Sequence, residues 1–128
     1  MTRYDVLEGI TEMLNKTLSL SAADFRFDPS ATGTYAYVRP GNPTLYVCQG
    51  YFDLSSGEAV YTLTHELSHF PSVVPGGTND ITYDYGTSLG LAHTPDVAFQ
   101  NASNWGFYAT EVSHTSIGVF QTPFRNRF

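Results

Sequence analysis

One cysteine, Cys48, is present in 128 residues, so no intrachain disulfide can staple the fold and stability must come from a packed core and from any bound ion. Positive charge is also scarce. Six Lys and Arg stand against 12 Asp and Glu, for a formal net charge of −6. Nucleic-acid binding needs clustered basic side chains, and those present are scattered apart from Arg125 and Arg127, which argues against a nucleic-acid partner. No apolar run is long enough to span a membrane, and Met1-Thr2-Arg3-Tyr4-Asp5 does not open a signal peptide. The acidic balance weakly favours cationic peptides, and nothing in the sequence speaks to oligomeric state. What the chain does have is 41% hydrophobic and 15% aromatic residues, enough to bury one core in a single domain over residues 1–128.

The most informative stretch is His65-Glu66-Leu67-Ser68-His69. On a helix, positions i and i+4 lie one above the other, so both imidazoles can address one metal, while Glu66 is rotated towards a metal-bound water. That is the arrangement of a hydrolytic zinc site with one catalytic ion. Such a site needs a third protein ligand and an open position for water. The long metzincin pattern would require glycine at Ser72 and histidine at Pro75, and neither is there. Glu111, the only glutamate after His69, stays open as a ligand of gluzincin type.

A further run, Gly77-Thr78-Asn79-Asp80-Ile81-Thr82-Tyr83, resembles the GTxDxxY motif of the aspzincins, the deuterolysin and peptidyl-Lys metalloendopeptidase family. Upstream, Tyr46-Val47-Cys48-Gln49-Gly50-Tyr51-Phe52-Asp53-Leu54 is similar to the segment that leads into that family's zinc helix. Downstream, Asn101-Ala102-Ser103-Asn104-Trp105-Gly106-Phe107-Tyr108-Ala109 resembles its NADxYxxFA helix. The resemblance covers about residues 46 to 109. It implies a mainly helical α+β zincin-like domain with a small β-hairpin or sheet beside the HExxH helix, and a zinc endopeptidase acting on protein or peptide substrates. It further implies His65, His69 and Asp80 as zinc ligands, Glu66 as general base and Tyr83 as a phenol facing the substrate carbonyl. Secretion is the family expectation, and the chain is shorter than a full domain of that family is expected to be.

Departures from the family pattern bear on activity. Asp84 replaces the glycine after the tyrosine, and offers a carboxylate that is a candidate second-sphere partner, alternative ligand or substrate-facing acid. Ser103 stands where the family has aspartate, which bears on a preference for lysine; Asp84 and Asp96 are the candidate replacements. The family's partner for a cysteine at position 48 would lie near Ser88, so Cys48 reads as a buried small hydrophobe. These changes keep a second function class open, a zinc-stabilised binding or toxin module on the same fold, although a structural zinc has no use for Glu66. His93 and His114 read as surface or capping histidines. Asn15-Lys16-Thr17 and Asn101-Ala102-Ser103 match a glycosylation sequon.

Local patterns place these motifs on elements. Val6, Leu7, Ile10, Met13, Leu14 and Leu18 recur at helical spacing over about residues 4 to 20, which predicts an amphipathic helix with a core-facing stripe. Tyr35, Tyr37, Leu45 and Val47 alternate on either side of Pro40-Gly41-Asn42-Pro43, a β-hairpin with a longer loop that could pair with substrate. Ser55 and Glu58 form a capping box opening the helix of His65 and His69, which Pro71 ends. Pro75-Gly76-Gly77 permits a sharp bend. Thr94-Pro95-Asp96 opens a helix running to about Val112, with Asn101, Asn104 and Tyr108 on one face turned towards the site. Residues Gln121 to Phe128 are expected to wrap the surface.

Overall fold

The structure, a computed structural model, describes residues 3–117, with side chains over 5–112. The expectations for His114, Arg125, Arg127 and Gln121 to Phe128 lie outside the described side chains.

Helix α1 (Arg3–Ser19) forms where the apolar spacing predicts it. Only one side of its stripe turns inward: Ile10 and Met13 pack on the buried cluster of Val73, Val74 and Trp105. Leu7, Leu14 and Leu18 are 48%, 57% and 76% exposed, which corrects the expectation of a core-facing stripe for these three residues. The reason is angular. At about 100° per residue these three leucines fall along one edge of the stripe and Val6, Ile10 and Met13 along the other.

Strands β1 (Phe25–Phe27), β2 (Ala36–Arg39) and β3 (Asn42–Val47) form one sheet in the order β1-β3-β2. The β2–β3 pair is the expected hairpin, antiparallel with Ala36 opposite Val47 and Tyr37 opposite Tyr46. Its turn is tighter than the longer loop expected: Pro40 and Gly41 make it alone, and Asn42 and Pro43 already belong to β3. Proline fixes the first turn residue and Gly41, at φ +74°, supplies the left-handed second one. Strand β1, parallel to β3 with Phe25 opposite Leu45, had no counterpart in the sequence reading. Strand β2 is left at the sheet's edge, against α2.

Helix α2 (Ser56–Ser68) starts at the predicted capping box and ends with His69 as its C-cap. It packs along α5 (Ala102–Ile117), with the Tyr61 and Phe107 rings 4.7 Å apart. The axes approach closely because Gly106 carries no side chain; a Cβ there would lie 2.7 Å from the Tyr61 ring.

The single helix expected from Thr94 to about Val112 is broken into α4 (Pro95–Phe99) and α5. The break is made from outside. Asn79 N–H donates to Gln100 O at 2.8 Å and Asn79 O accepts from Ala102 N–H at 2.9 Å, claiming backbone groups that a continuous helix would pair internally. Helix α3 (Tyr85–Gly90) precedes it. Cys48 is buried, as expected. Among the described residues no helix is long and apolar enough to cross a membrane.

Candidate metal centre

His65 lies in the last turn of α2 and His69 at its cap, so the helix brings both rings to one end. Each ring is oriented from behind. His69 Nδ1 lies 3.0 Å from Thr78 O; a carbonyl only accepts, so Nδ1 carries a proton and Nε2 is the nitrogen turned towards Asp80. His65 Nδ1 lies 3.1 Å from Ser103 Oγ, which lies 2.7 Å from Tyr61 OH. Such outer partners fix ring tautomer and raise donor strength.

The loop after α2 doubles back through Gly76 and Gly77, at φ +81° and +71°. A Cβ on Gly77 would stand 2.7 Å from His69 O, so both the backbone angle and the space demand glycine. The return carries Asp80 to the histidines, its Oδ1 2.9 Å from His65 Nε2 and 3.2 Å from His69 Nε2. Three donors about 2.1 Å from one ion at tetrahedral angles lie about 3.4 Å apart, so the contacts of Asp80 with the two histidines fit zinc in separation and donor type. Glu66 is set further out, 3.7 and 4.0 Å from the two Nε2 atoms. His65, Glu66 and His69 also group as potential metal donors within 4.8 Å; the shorter contacts of Asp80 favour it over Glu66 as third donor. Glu111 is not in this group.

The electrostatics are those of a crowded, half-dry site. The His65 hydrogen bond, then the charge of His69, hold the Asp80 carboxyl below its ordinary range. Burial, then the Asp80 carboxylate, push Glu66 up to about 8, against a hydrogen bond from the Val38 backbone. Tyr83 stacks on His65 at 5.6 Å, is 54% exposed and hydrogen-bonds Asp80. Burial and that carboxylate push its hydroxyl up to about 12.

Two lobes of one cleft flank these groups. The His69 lobe, about 510 Å³, is bounded by β2 and its turn, Phe70, Asp80 and Tyr83; the His65 lobe, about 590 Å³, by Tyr35, Ala36, Tyr61, Thr62 and Tyr83. Glu66 lines both.

Other sequence candidates are placed elsewhere. Asp84 does not face the site: its carboxylate caps α3, accepting from Thr87 N–H at 2.7 Å and Thr87 Oγ1 at 2.9 Å. Its φ of −76° also shows that glycine is not needed there. Asp96 and His93 are exposed and line neither lobe. Asn104 hydrogen-bonds Ser88 O, and Tyr108 lines a separate cavity beside α1, so these two do not reach the site as expected.

Asn101 is the residue whose role the sequence reading missed. It is fully buried. Its Oδ1 accepts from Ile81 N–H at 3.1 Å and Thr82 N–H at 3.2 Å, and its Nδ2 donates to Asn104 Oδ1 at 2.7 Å and Ser88 Oγ at 3.4 Å. With the Asn79 bridge, it fastens the backbone on both sides of Asp80 to the start of α5. The sequon match at Asn101 is therefore a buried structural amide. An asparagine, a poor helix former, inside the run read as one helix from Thr94 to about Val112 was the one available signal.

The family model described as lysine-specific metallo-endopeptidase, the aspzincins, matches residues 2–110. Neutral protease 2 homolog MEP3 of Coccidioides posadasii is 30% identical over 97 residues, covering 70% of this chain and 27% of its own. A probable neutral protease 2 homolog of Arthroderma otae is 34% identical over 88 residues, covering 63% and 23%. The chain thus spans about a quarter of the length of these relatives. A solved zinc peptidase from Grifola frondosa superposes with a TM-score of 0.67 at 32% identity, over 85% of this chain and 68% of that one.

Proposed function

The chain belongs to the aspzincin family, and from that premise we propose that it is a zinc-dependent endopeptidase in which His65, His69 and Asp80 hold the ion, Glu66 is the general base and Tyr83 the oxyanion donor. The observation that carries the reading is the convergence of two imidazole Nε2 atoms on one Asp80 oxygen, 2.9 and 3.2 Å away, with a buried glutamate beside them. When bound, zinc supplies Lewis acidity, polarising the scissile carbonyl and acidifying water.

The chain's own groups do the rest. Ser103 and Thr78 hold the two rings with Nε2 forward. Glu66, within a polar lobe on each side, accepts a proton from the attacking water as the new C–O bond forms and returns it to the departing amine as C–N breaks. Tyr83 is exposed enough to turn its hydroxyl from Asp80 to the carbonyl oxygen as that gains charge. The edge strand β2 borders the cleft, which suits a peptide bound as an added strand. Residues 1–128 act in this reading as one catalytic unit, and secretion is carried as the family expectation.

Lysine preference rests on the family description. An ammonium needs a carboxylate, and among the described residues lining either lobe the only ones are Glu66 and Asp80; Ser103 is neutral and buried.

The test is digestion of an unstructured protein such as casein by the zinc-loaded chain beside Glu66→Gln and Asp80→Ala, with product ends read by mass spectrometry and zinc content measured in each. We expect cuts from the parent only, a roughly 10²- to 10⁴-fold loss for Glu66→Gln with zinc retained, and zinc loss for Asp80→Ala. Full zinc binding by Asp80→Ala rejects the ligand set. Zinc binding without cleavage by the parent turns the reading to a binding module.

A further inference from the structure

Resting on the peptidase reading, we infer that Arg39 is a specificity-determining residue that recognises a substrate carboxylate in the His69 lobe. Arg39 lines that lobe at the turn end of the edge strand, beside Tyr37 and Pro40. Among the described residues lining either lobe it is the only lysine or arginine.

Its guanidinium is held in place. The group lies 4.8 Å from the Tyr46 ring centre and 5.6 Å from that of Tyr37, and those two rings are themselves stacked at 4.8 Å and 5°. One Nη2 donates to Tyr37 OH at 3.5 Å, and Tyr37 OH in turn donates to Asp28. Among the described residues Arg39 makes no ion pair with an Asp or Glu. Stacking on a ring face leaves the edge of the guanidinium, with most of its five N–H donors, available in a fork that matches a carboxylate. The tyrosine platform restricts the side chain beforehand, so less freedom is lost on binding.

Position relates this group to the chemistry. The backbone of Val38, one residue before Arg39, hydrogen-bonds Glu66, so a peptide lying along β2 would meet the guanidinium within a few residues of the bond at Glu66. The lobe that this cation lines is lined also by Glu66 and Asp80. An acidic substrate group is directed to the cation and away from the two carboxylates. The carboxylate has two sources, an Asp or Glu side chain or a free C-terminus, and the same fork serves both.

The experiment uses the zinc-loaded protein and C-terminally amidated peptides that differ only in Glu or Gln at each position around the cut, plus one neutral peptide with its C-terminus free or amidated. We expect a roughly ten-fold higher kcat/KM for Glu than Gln at one position, smaller in high salt, absent in Arg39→Gln and partly restored in Arg39→Lys. A gain seen only with the free C-terminus assigns the carboxylate to the chain end. Equal rates for all pairs, or a preference that survives Arg39→Gln, overturn the inference. Binding of the same peptides to zinc-loaded Glu66→Gln, with and without Arg39→Gln, reads recognition without turnover. A Glu-over-Gln difference lost with Arg39 supports the inference even if no peptide is cut, in which case the peptidase reading alone has failed; no difference in binding overturns it.

Discussion

Helix α5 separates two cavities of opposite character. On its α1 side a cavity of about 300 Å³ is walled by Val6, Ile10, Ala98, Phe99 and Trp105, with few polar atoms. On its α2 side the cleft is larger and is walled by His65, Glu66, His69, Asp80 and four tyrosines. An apolar lining is thus not what marks the reactive face; convergent, mutually oriented polar groups are. The two sides also differ in how they are held. The α1 side depends on packing around Trp105, whose indole N–H donates to Phe99 O at 2.8 Å. The α2 side depends on directional bonds, from Ser103, Thr78 and Asn101 to the groups they aim.

That contrast yields separable outcomes. Trp105→Ala empties the middle of the apolar side and is expected to cost about 3–5 kcal/mol, read in urea unfolding, with the zinc affinity of the folded fraction retained. A matching fall in intrinsic affinity would show the two sides to be coupled. Asn101→Ala is expected to act in the opposite sense, lowering zinc affinity roughly 10- to 100-fold in competition with a chelator while costing about 1–3 kcal/mol of fold; unchanged affinity would reduce Asn101 to a packing residue.

Smaller changes sharpen the picture. Thr62 is buried on α2 and its hydroxyl has no hydrogen-bond partner among the described residues, so isosteric Thr62→Val should raise stability by about 1 kcal/mol. A loss would reveal a bound water or other partner at that hydroxyl. The smallest effect concerns Asp28, held at about 2 by hydrogen bonds from Ser30 and Tyr37. A carboxyl lowered from 3.8 on folding adds stability above 3.8 that is lost as pH falls towards 2. The acid limb of the unfolding midpoint between those values should therefore flatten in Asp28→Asn, and an unaltered limb would assign it to other carboxylates.

Features written in neighbouring residues were legible in the sequence. The histidine pair, the Ser55–Glu58 box and the Thr94-Pro95 start each depend on a few adjacent positions. The helix break at Gln100 and Asn101 was not, because the Asn79 backbone that makes it lies about twenty residues upstream. Nor was the Ser103–His65 contact, across 38 residues, or the three-residue strand β1, too short to show a period. Asp84 differs: an acid three residues before Thr87, at the start of α3, was a readable cap, but the nearby metal motif drew the interpretation towards chemistry.

Cys48, 1% exposed at the end of β3 and unique in the chain, doubles as a stopwatch. Burial raises its thiol above the ordinary range and slows its chemistry, so a thiol reagent can label it only during moments when its surroundings open. The labelling rate then counts those openings directly in the unmodified native protein, one reporter per molecule, with no engineered probe.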